Sequence, residues 1–325
     1  MATSSSWNYS VTAADVITAA LEDLGVVIAG ASVTANDSTL ALQRLNFLAK
    51  QWQGVADGAP GLKIWTRQRL VLFPVKDQAR YLIGPASTDD RASVDSLATT
   101  LGAAKAASAT AITVSSTTGM TAADILGFVT DAGTVGWTTI SSVDTSTTLT
   151  AAANTVGAAA SGKVVYTYTN KAQRFPAWES VVLRDNSSVG QPIDIPLAVY
   201  TDIAEYEALS QKLAPGDPTA ILIEPQRLNT AITLNYAATN MFKTLRLNVL
   251  YPAEDYDATT DDIAFPQEWY AALEWELAFR LAPAFERPWT KEMEANRVQA
   301  VSIARQLNFL NVSDYFLPEK EPVDG

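Results

Sequence analysis

Helical periodicity at both ends of a 325-residue chain, with strand-like alternation between them, is the feature that most limits how this sequence can fold. Thr12 stands three residues before Asp15, the spacing at which a hydroxyl and a carboxylate cap a helix start reciprocally. Val16, Ile17, Ala20, Leu21 and Leu24 then recur at helical spacing, and Gly25 suits the left-handed stop. Asn36, Asp37 and Ser38 offer caps for a second helix with the stripe Ala41, Leu45, Leu48 and Trp52, flanked by Leu42 and Phe47 and ending at Gly54. At the other end Phe265 and Pro266 open a helix, with proline at the favoured first position and the stripe Trp269, Tyr270, Leu273, Leu277 and Leu281. Glu276 and Arg280 are spaced to pair on its outer face. Pro283 ends that helix. Pro288 opens the last one, where Met293, Ala300, Ala304 and Leu307 line up beside Val301 and Ile303. Each pair of helices has one apolar face with nothing to cover it. Packing the pairs together satisfies both, which predicts a discontinuous four-helix bundle with a core of Leu21, Leu45, Leu48, Trp52, Trp269, Leu273, Leu277, Ala304 and Leu307.

The intervening sequence reads as β structure. Ile64, Thr66, Gln68, Leu70 and Leu72 alternate with Trp65, Arg67, Arg69 and Val71, and a second short strand follows at 79–83. Residues 87–170 are rich in Ala, Thr, Ser and Gly and poor in charge, with short β runs at 111–114, 125–129, 137–140, 147–150 and 164–169. Evenly spaced runs of this kind predict a small β-barrel or sandwich, here an inserted, lightly packed and protruding module. Strands resume at 180–183, 193–197, 220–223, 231–234 and 245–251, with a short helix at 201–209. The expected class is therefore α+β. The domain division is 1–61 (helical), 62–86 (β), 87–170 (inserted β module), 171–262 (β), 263–312 (helical) and 313–325 (C-terminal tail).

The composition narrows the chemistry. With no cysteine and no histidine, thiolate metal sites, cysteine nucleophiles and the Ser-His-Asp triad are excluded, and no catalytic or metal-ligating residue is assigned. There is no phosphate-binding glycine loop, no dinucleotide fingerprint and no nucleophile elbow. No cofactor is expected. The net charge of −12 disfavours tight binding to nucleic acid, whose affinity comes mostly from phosphate neutralisation. No apolar run is long enough to span a bilayer, and the opening residues lack a secretory pattern, so a soluble chain made in a cytoplasm is expected. Two acidic groups, Glu254-Asp255-Tyr256-Asp257 with Asp261 and Asp262, and Glu268 with Glu274 and Glu276, read as a solvated linker and an exposed helix face. The aromatics Trp65, Trp137, Tyr166, Tyr168 and Trp178 read as core or interface before they read as a stacking platform for sugars or bases.

Phe265-Pro266-Gln267-Glu268-Trp269, followed by Ala272-Leu273, Leu277-Ala278 and Leu281-Ala282-Pro283 and preceded by the strand ending Asn248-Val249-Leu250-Tyr251 and an acidic turn, resembles a pattern in head-to-tail adaptor proteins of tailed phages. At the other end, Thr12-Ala13-Ala14-Asp15-Val16, Leu24-Gly25 and Leu45-Asn46-Phe47-Leu48 with Trp52 are similar to the opening of the P22-like tail accessory, or DNA-stabilisation, proteins. The resemblance covers roughly residues 10–86 and 171–312, and the 87–170 insert departs from the smallest members of the family.

The resemblance implies a virion protein of the head–tail neck, made in the bacterial host. It would be a homo-oligomeric ring, typically a dodecamer, docked on the portal protein, with a tail nozzle or hub protein on its far face. Packaged double-stranded DNA would pass through the lumen without sequence-specific binding. The C-terminal segment would grip the portal through Asn308, Phe309, Leu310, Val312, Tyr315, Phe316 and Leu317. Trp7, Tyr9, Trp289 and Phe309 are candidate exposed anchors, and an acidic lumen would let DNA slide. The alternatives are a tail-fibre or receptor-binding component, and a carbohydrate-binding or carbohydrate-active module built on the β portion.

Overall fold

The computed structural model describes residues 9–52, 67–85, 91–155, 157–188, 190–210, 212, 214–239, 241–251 and 253–307. The chain divides into two compact units, Met1–Trp65 with Pro252–Gly325, and Thr66–Tyr251. These limits lie near the 61/62 and 262/263 expected from the sequence. Among the described residues the α-helices are α1 (Ala13–Asp23), α2 (Ala35–Trp52), α3 (Ile203–Glu207), α4 (Tyr270–Leu281) and α5 (Lys291–Leu307).

In the first unit, α1 starts as its sequence dictates. Thr12 Oγ1 accepts from Asp15 N at 3.3 Å, and Asp15 Oδ2 accepts from Thr12 N at 2.8 Å. Those bonds from Thr12 hold the Asp15 carboxyl below the usual carboxylate range. Gly25 takes φ 63° just past the helix end. The same device opens α2 earlier than expected. Thr34, not Asn36, Asp37 or Ser38, is the cap: its Oγ1 accepts from Asp37 N at 3.3 Å and donates to Asp37 Oδ2 at 2.7 Å. Pro266 stands before a 3-10 turn, Gln267–Trp269, that runs into α4, so it precedes the helix where it was expected to be its first residue.

Helices from both ends of the chain share one core. Leu21, Leu45, Leu48, Trp269, Leu273, Leu277 and Ala304 are fully buried and Trp52 nearly so. Trp52 meets Trp269 edge-on at 5.3 Å and Phe265 at 6.1 Å. The centre of this core is α4, which packs on α1, α2 and α5. Ala304 is the one residue of α5 within the fully buried cluster, so α5 lies along α4 and closes the core from one side. Leu307 ends α5, and its side chain is outside the described residues.

The acidic stretch before α4 is not a solvated linker. Tyr256, Ile263 and Phe265 are buried in the helical core. Asn46 on α2 clamps the backbone of Tyr256, donating Nδ2–H to its carbonyl and accepting from its N–H, both at 2.9 Å. Asp262 bridges Thr12, and Ala13 N donates to Asp261 O at 2.9 Å. Asp261 Oδ2 accepts from the N–H groups of Asp257 and Ala258 at 2.8 Å each, forming a turn. Alternating carboxylates and apolar residues here split between water and core, and composition alone hides the apolar half.

In the second unit the chain runs through β1 (Arg67–Phe73), β2 (Arg80–Ile83), β3 (Arg91–Ser93), β4 (Leu97–Thr100), β5 (Ala111–Thr113) and β6 (Ile125–Val129). It continues through β7 (Val135–Val143), β8 (Thr148–Ala151), β9 (Val164–Tyr168), β10 (Ala177–Asp185), β11 (Ile193–Pro196) and β12 (Ala198–Tyr200). The last strands are β13 (Ala214–Pro215), β14 (Ala220–Pro225), β15 (Thr230–Leu234), β16 (Tyr236–Ala237) and β17 (Lys243–Leu250). A five-stranded antiparallel sheet, β11-β10-β17-β1-β3, and a four-stranded sheet, β12-β14-β15-β2, share a core of Leu70, Leu72, Leu183, Leu245, Leu247 and Val249 against Ile221, Ile223, Ile232, Leu234 and Tyr81. β12 joins the four-stranded sheet in parallel, and β13 and β16 form a separate parallel pair.

The Ala/Thr/Ser-rich segment forms a six-stranded antiparallel sheet, β4-β9-β6-β7-β8-β5. It curls until its edge strands meet. Leu101 bridges Val114, flanked by Gly102 N donating to Thr113 O and Ser115 N donating to Thr100 O. Its interior, with Leu126, Phe128, Leu149 and Val165, is fully buried. Nor does the segment hang free. Val71 and Phe73 of β1 insert into its outer face against Val129, Val164, Tyr166 and Tyr168. The expectation of a lightly packed module therefore fails: small residues permit close backbone approach, and the packing is tight.

Two substitutions test these contacts. Asn46→Ala leaves a part-buried N–H and a part-buried carbonyl without their partner and should lower stability by about 1 kcal/mol in urea unfolding; a change below about 0.5 kcal/mol would refute the clamp. A Cβ at Gly127 would lie 2.5 Å from the Trp137 ring across the β6–β7 ladder. Gly127→Ala should therefore shift the Trp emission and lower the melting temperature, where a lightly packed module would tolerate it.

Candidate interaction surface

The C-terminal helix is the least covered element of the helical unit. It is anchored along one side by aromatic and ionic contacts. Trp289 packs edge-on against Phe279 at 5.2 Å and donates Nε1–H to Glu294 Oε2 at 2.9 Å. Arg297 donates to Glu276 on α4 and to Glu294, each at 2.7 Å, while its guanidinium lies 4.6 Å from the Phe279 ring centre. Hydrogen bonds from Arg297 and Trp289 pull the Glu294 carboxyl down to about 2. Glu276 keeps the expected i,i+4 ion pair with Arg280, at 3.9 Å, and makes a shorter one with Arg297 that bridges the two helices.

The opposite side of α5 is open. Ala295, Val298, Gln299, Ser302, Ile303 and Gln306 line a shallow groove, with Val298 54% and Ile303 47% exposed. Sequence reasoning placed Ile303 beside the buried stripe. In the structure the buried line runs through Ala300, Val301 and Ala304, and Ile303 points away from it. The excess of apolar positions around α5 was the available signal, since more of them occur than one packing face needs.

Of the candidate anchors, Tyr9 is exposed beside Tyr270, and Trp289 is half-buried in its own unit and is not a free anchor. Trp7 lies outside the described residues, as do all the expected portal-gripping positions, Asn308, Phe309, Leu310, Val312, Tyr315, Phe316 and Leu317.

Neither acidic group forms a site. Among the described residues no cluster of three or more His, Cys, Asp or Glu side chains has metal-binding geometry. Glu268 is exposed. Glu274 faces Asp23 across the α1–α4 contact, where burial and the Asp23 charge push its carboxyl up to about 7. Burial raises Asp23 as well, and its Oδ2 is buried with no hydrogen-bond partner. A proton held by Glu274 and shared with Asp23 relieves the repulsion. The aromatic set offers no stacking platform either. Trp137, Tyr166 and Tyr168 are packed against Phe73, Arg91 covers Trp137 at 5.1 Å, Trp178 packs on the sandwich core, and Trp65 lies outside the described residues.

Comparison of the chain with protein-family models, curated proteins and solved structures finds no match.

The Asp23–Glu274 contact sets a pH dependence. A carboxyl whose folded value is raised adds stability that is complete below its unfolded value and is lost as the pH rises through about 7. The helical unit should therefore be more stable near pH 5.5 than at pH 8. Glu274→Gln should flatten that difference and stabilise the unit at pH 8 by on the order of 1 kcal/mol, discounted because the pair is half exposed. Thermal melts across this range check it. An unchanged slope in the variant would show that the two carboxyls do not share a proton.

Proposed function

We propose that this chain is a structural virion protein, a head-to-tail adaptor whose copies form a ring beneath the portal, extend the DNA channel and present an attachment surface to the tail. The observation that carries the reading is α5. It is a helix anchored along one side, apolar along the other, and continuous in sequence with the apolar run 308–317. A monomer has little reason to leave Val298 and Ile303 in water beside such a run, whereas a subunit that must be covered by a neighbour or a portal does. The helical unit is read as the discontinuous four-helix bundle of the ring wall. Its acidity, the absence of histidine and cysteine, and the resemblance at 10–86 and 171–312 support the same reading. In it the chain has no catalytic role, takes no cofactor and resides in the virion neck. The ring is typically a dodecamer in the family it resembles. The tail-fibre and carbohydrate readings lose support because the aromatic faces of the β module are occupied by the protein itself.

Mass photometry of portal rings mixed with the purified chain tests the proposal. The portal peak should gain the mass of a whole ring of subunits. Deleting 308–325 should abolish the shift, and Val298→Asp with Ile303→Asp should weaken it at least tenfold. Portal rings whose mass never changes, or trimers of the chain that bind glycans, would overturn it.

A further inference from the structure

The formal charge of −12 is unevenly divided. The helical unit has 9 Lys and Arg against 20 Asp and Glu, a net −11, and the β unit has 14 against 15, a net −1. The exclusion of polyanionic ligands drawn from the whole chain therefore does not extend to the β unit. Within it, basic side chains gather on one face of the five-stranded sheet. Alternation along β1 sends Leu70 and Leu72 into the sandwich core and leaves Arg67 and Arg69 on the other face, which Val71 and Phe73 share where the inserted sheet docks. The ladder sets Arg246 of β17 opposite Val71 on one side and Val182 on the other. Arg69 of β1 and Arg184 of β10 are thus its diagonal neighbours on adjacent strands, within reach of long side chains.

The ends of this row are directly ion-paired; its middle, Arg69 and Arg246, feels the Asp194 charge only at longer range. Arg67 donates to Glu179 at 2.6 Å, and Arg184 grips Asp194 with two bonds of 2.6 and 2.5 Å. Among the described residues no carboxylate lies within 4 Å of Arg69 or Arg246. Arg246 Nε is buried with no hydrogen-bond partner. Burial, followed by the charges of Arg184 and Arg69, lowers Arg246 from the ordinary guanidinium range. Like charges placed directly together cost stability unless an anion answers them, and a planar guanidinium fork matches an oxyanion in two bonds. Arg69 is solvent-exposed, and Asn248, donating to Ser180 Oγ at 2.8 Å, continues the row with neutral side chains.

We propose that Arg69 and Arg246, flanked by Arg184, form a binding site for the phosphodiester backbone of duplex DNA. The contact is sequence-independent, because it reaches phosphates and offers no groove-reading element. Phosphate is favoured over a protein carboxylate because the row already holds its own two carboxylates at its ends and leaves the central pair open. The assignment does not rest on the portal reading.

Fluorescence anisotropy of a labelled 30-base-pair duplex with the full chain tests it. Binding is expected in low salt, with log K falling against log salt at a slope of about −2, for two phosphates neutralised. Arg69→Glu with Arg246→Glu should reduce affinity at least tenfold while circular dichroism stays unchanged and the melting temperature does not fall. Arg69→Lys with Arg246→Lys should retain most of the binding and the slope. Poly-L-glutamate serves as the competing ligand. If it binds and the duplex does not, the row is a dock for an acidic protein segment and the proposal fails. No duplex binding at 25 mM salt, or equal binding by the Glu variant, also overturns it. The same Glu variant should still shift portal rings, so failure here and failure of the adaptor reading remain separate.

Discussion

Everything in the helical unit depends on residues more than 200 positions apart in sequence finding one another. Asn46 holds the backbone of Tyr256, Thr12 bridges Asp262, and Trp52 meets Trp269. Closing so long a loop costs chain entropy, though the cost grows only logarithmically with length. Burial of two tryptophans and the leucine stripes of α1, α2 and α4 supplies the compensation, at roughly 1.5–3 kcal/mol for each large side chain. The directional bonds then select the register. An amide that satisfies both backbone polar groups of one residue permits one alignment of α2 against the incoming segment, because a slip would leave them unpaired.

Much of this was legible in residues taken a few at a time. The Thr12–Asp15 cap, the Gly25 stop and the stripes through Leu45 and Leu273 rest on local periodicity, and the structure places them as that periodicity requires. Where the reading failed, two demands fell on one segment. Residues 254–263 alternate carboxylates with Tyr256 and Ile263, so their composition describes the wet half and conceals the buried half. β1 is buried on both faces only in its second half, because the sandwich core covers one face and the inserted sheet covers the other. No local pattern announces a second sheet arriving from strands as distant as Val129 and Val164. The same holds for Glu276, whose i,i+4 partner is visible in sequence while Arg297, its shorter and stronger partner, is on another helix.

The inserted segment shows how small residues change the meaning of a composition. Its Ala, Thr and Gly content reads as loose packing when each residue is weighed by its apolar area. Gly127 beneath the Trp137 ring shows the other use: the missing side chain lets an indole lie on the backbone of the neighbouring strand. Lys105 at the end of the same sheet is buried beside Phe128, yet its ammonium donates to the carbonyls of Ala106 and Gly157 and to Thr155 Oγ1. Burial lowers its proton affinity, and the carbonyl dipoles offset part of that cost without a counter-ion.

Charge and packing divide along the same line. The helical unit carries nearly all of the excess negative charge and also the uncovered apolar side of α5. The β unit is close to neutral and carries an arginine row. A strongly acidic surface keeps an apolar stripe from associating indiscriminately, since like-charged units repel until a geometrically matched partner covers the stripe. The same field repels phosphates from the helical unit, whereas the β unit carries Arg69 and Arg246, which make no ion pair within 4 Å among the described residues. In the proposed adaptor these would be different tasks, holding on to protein and accommodating DNA, and separate units would let the salt sensitivity of one change without disturbing the other.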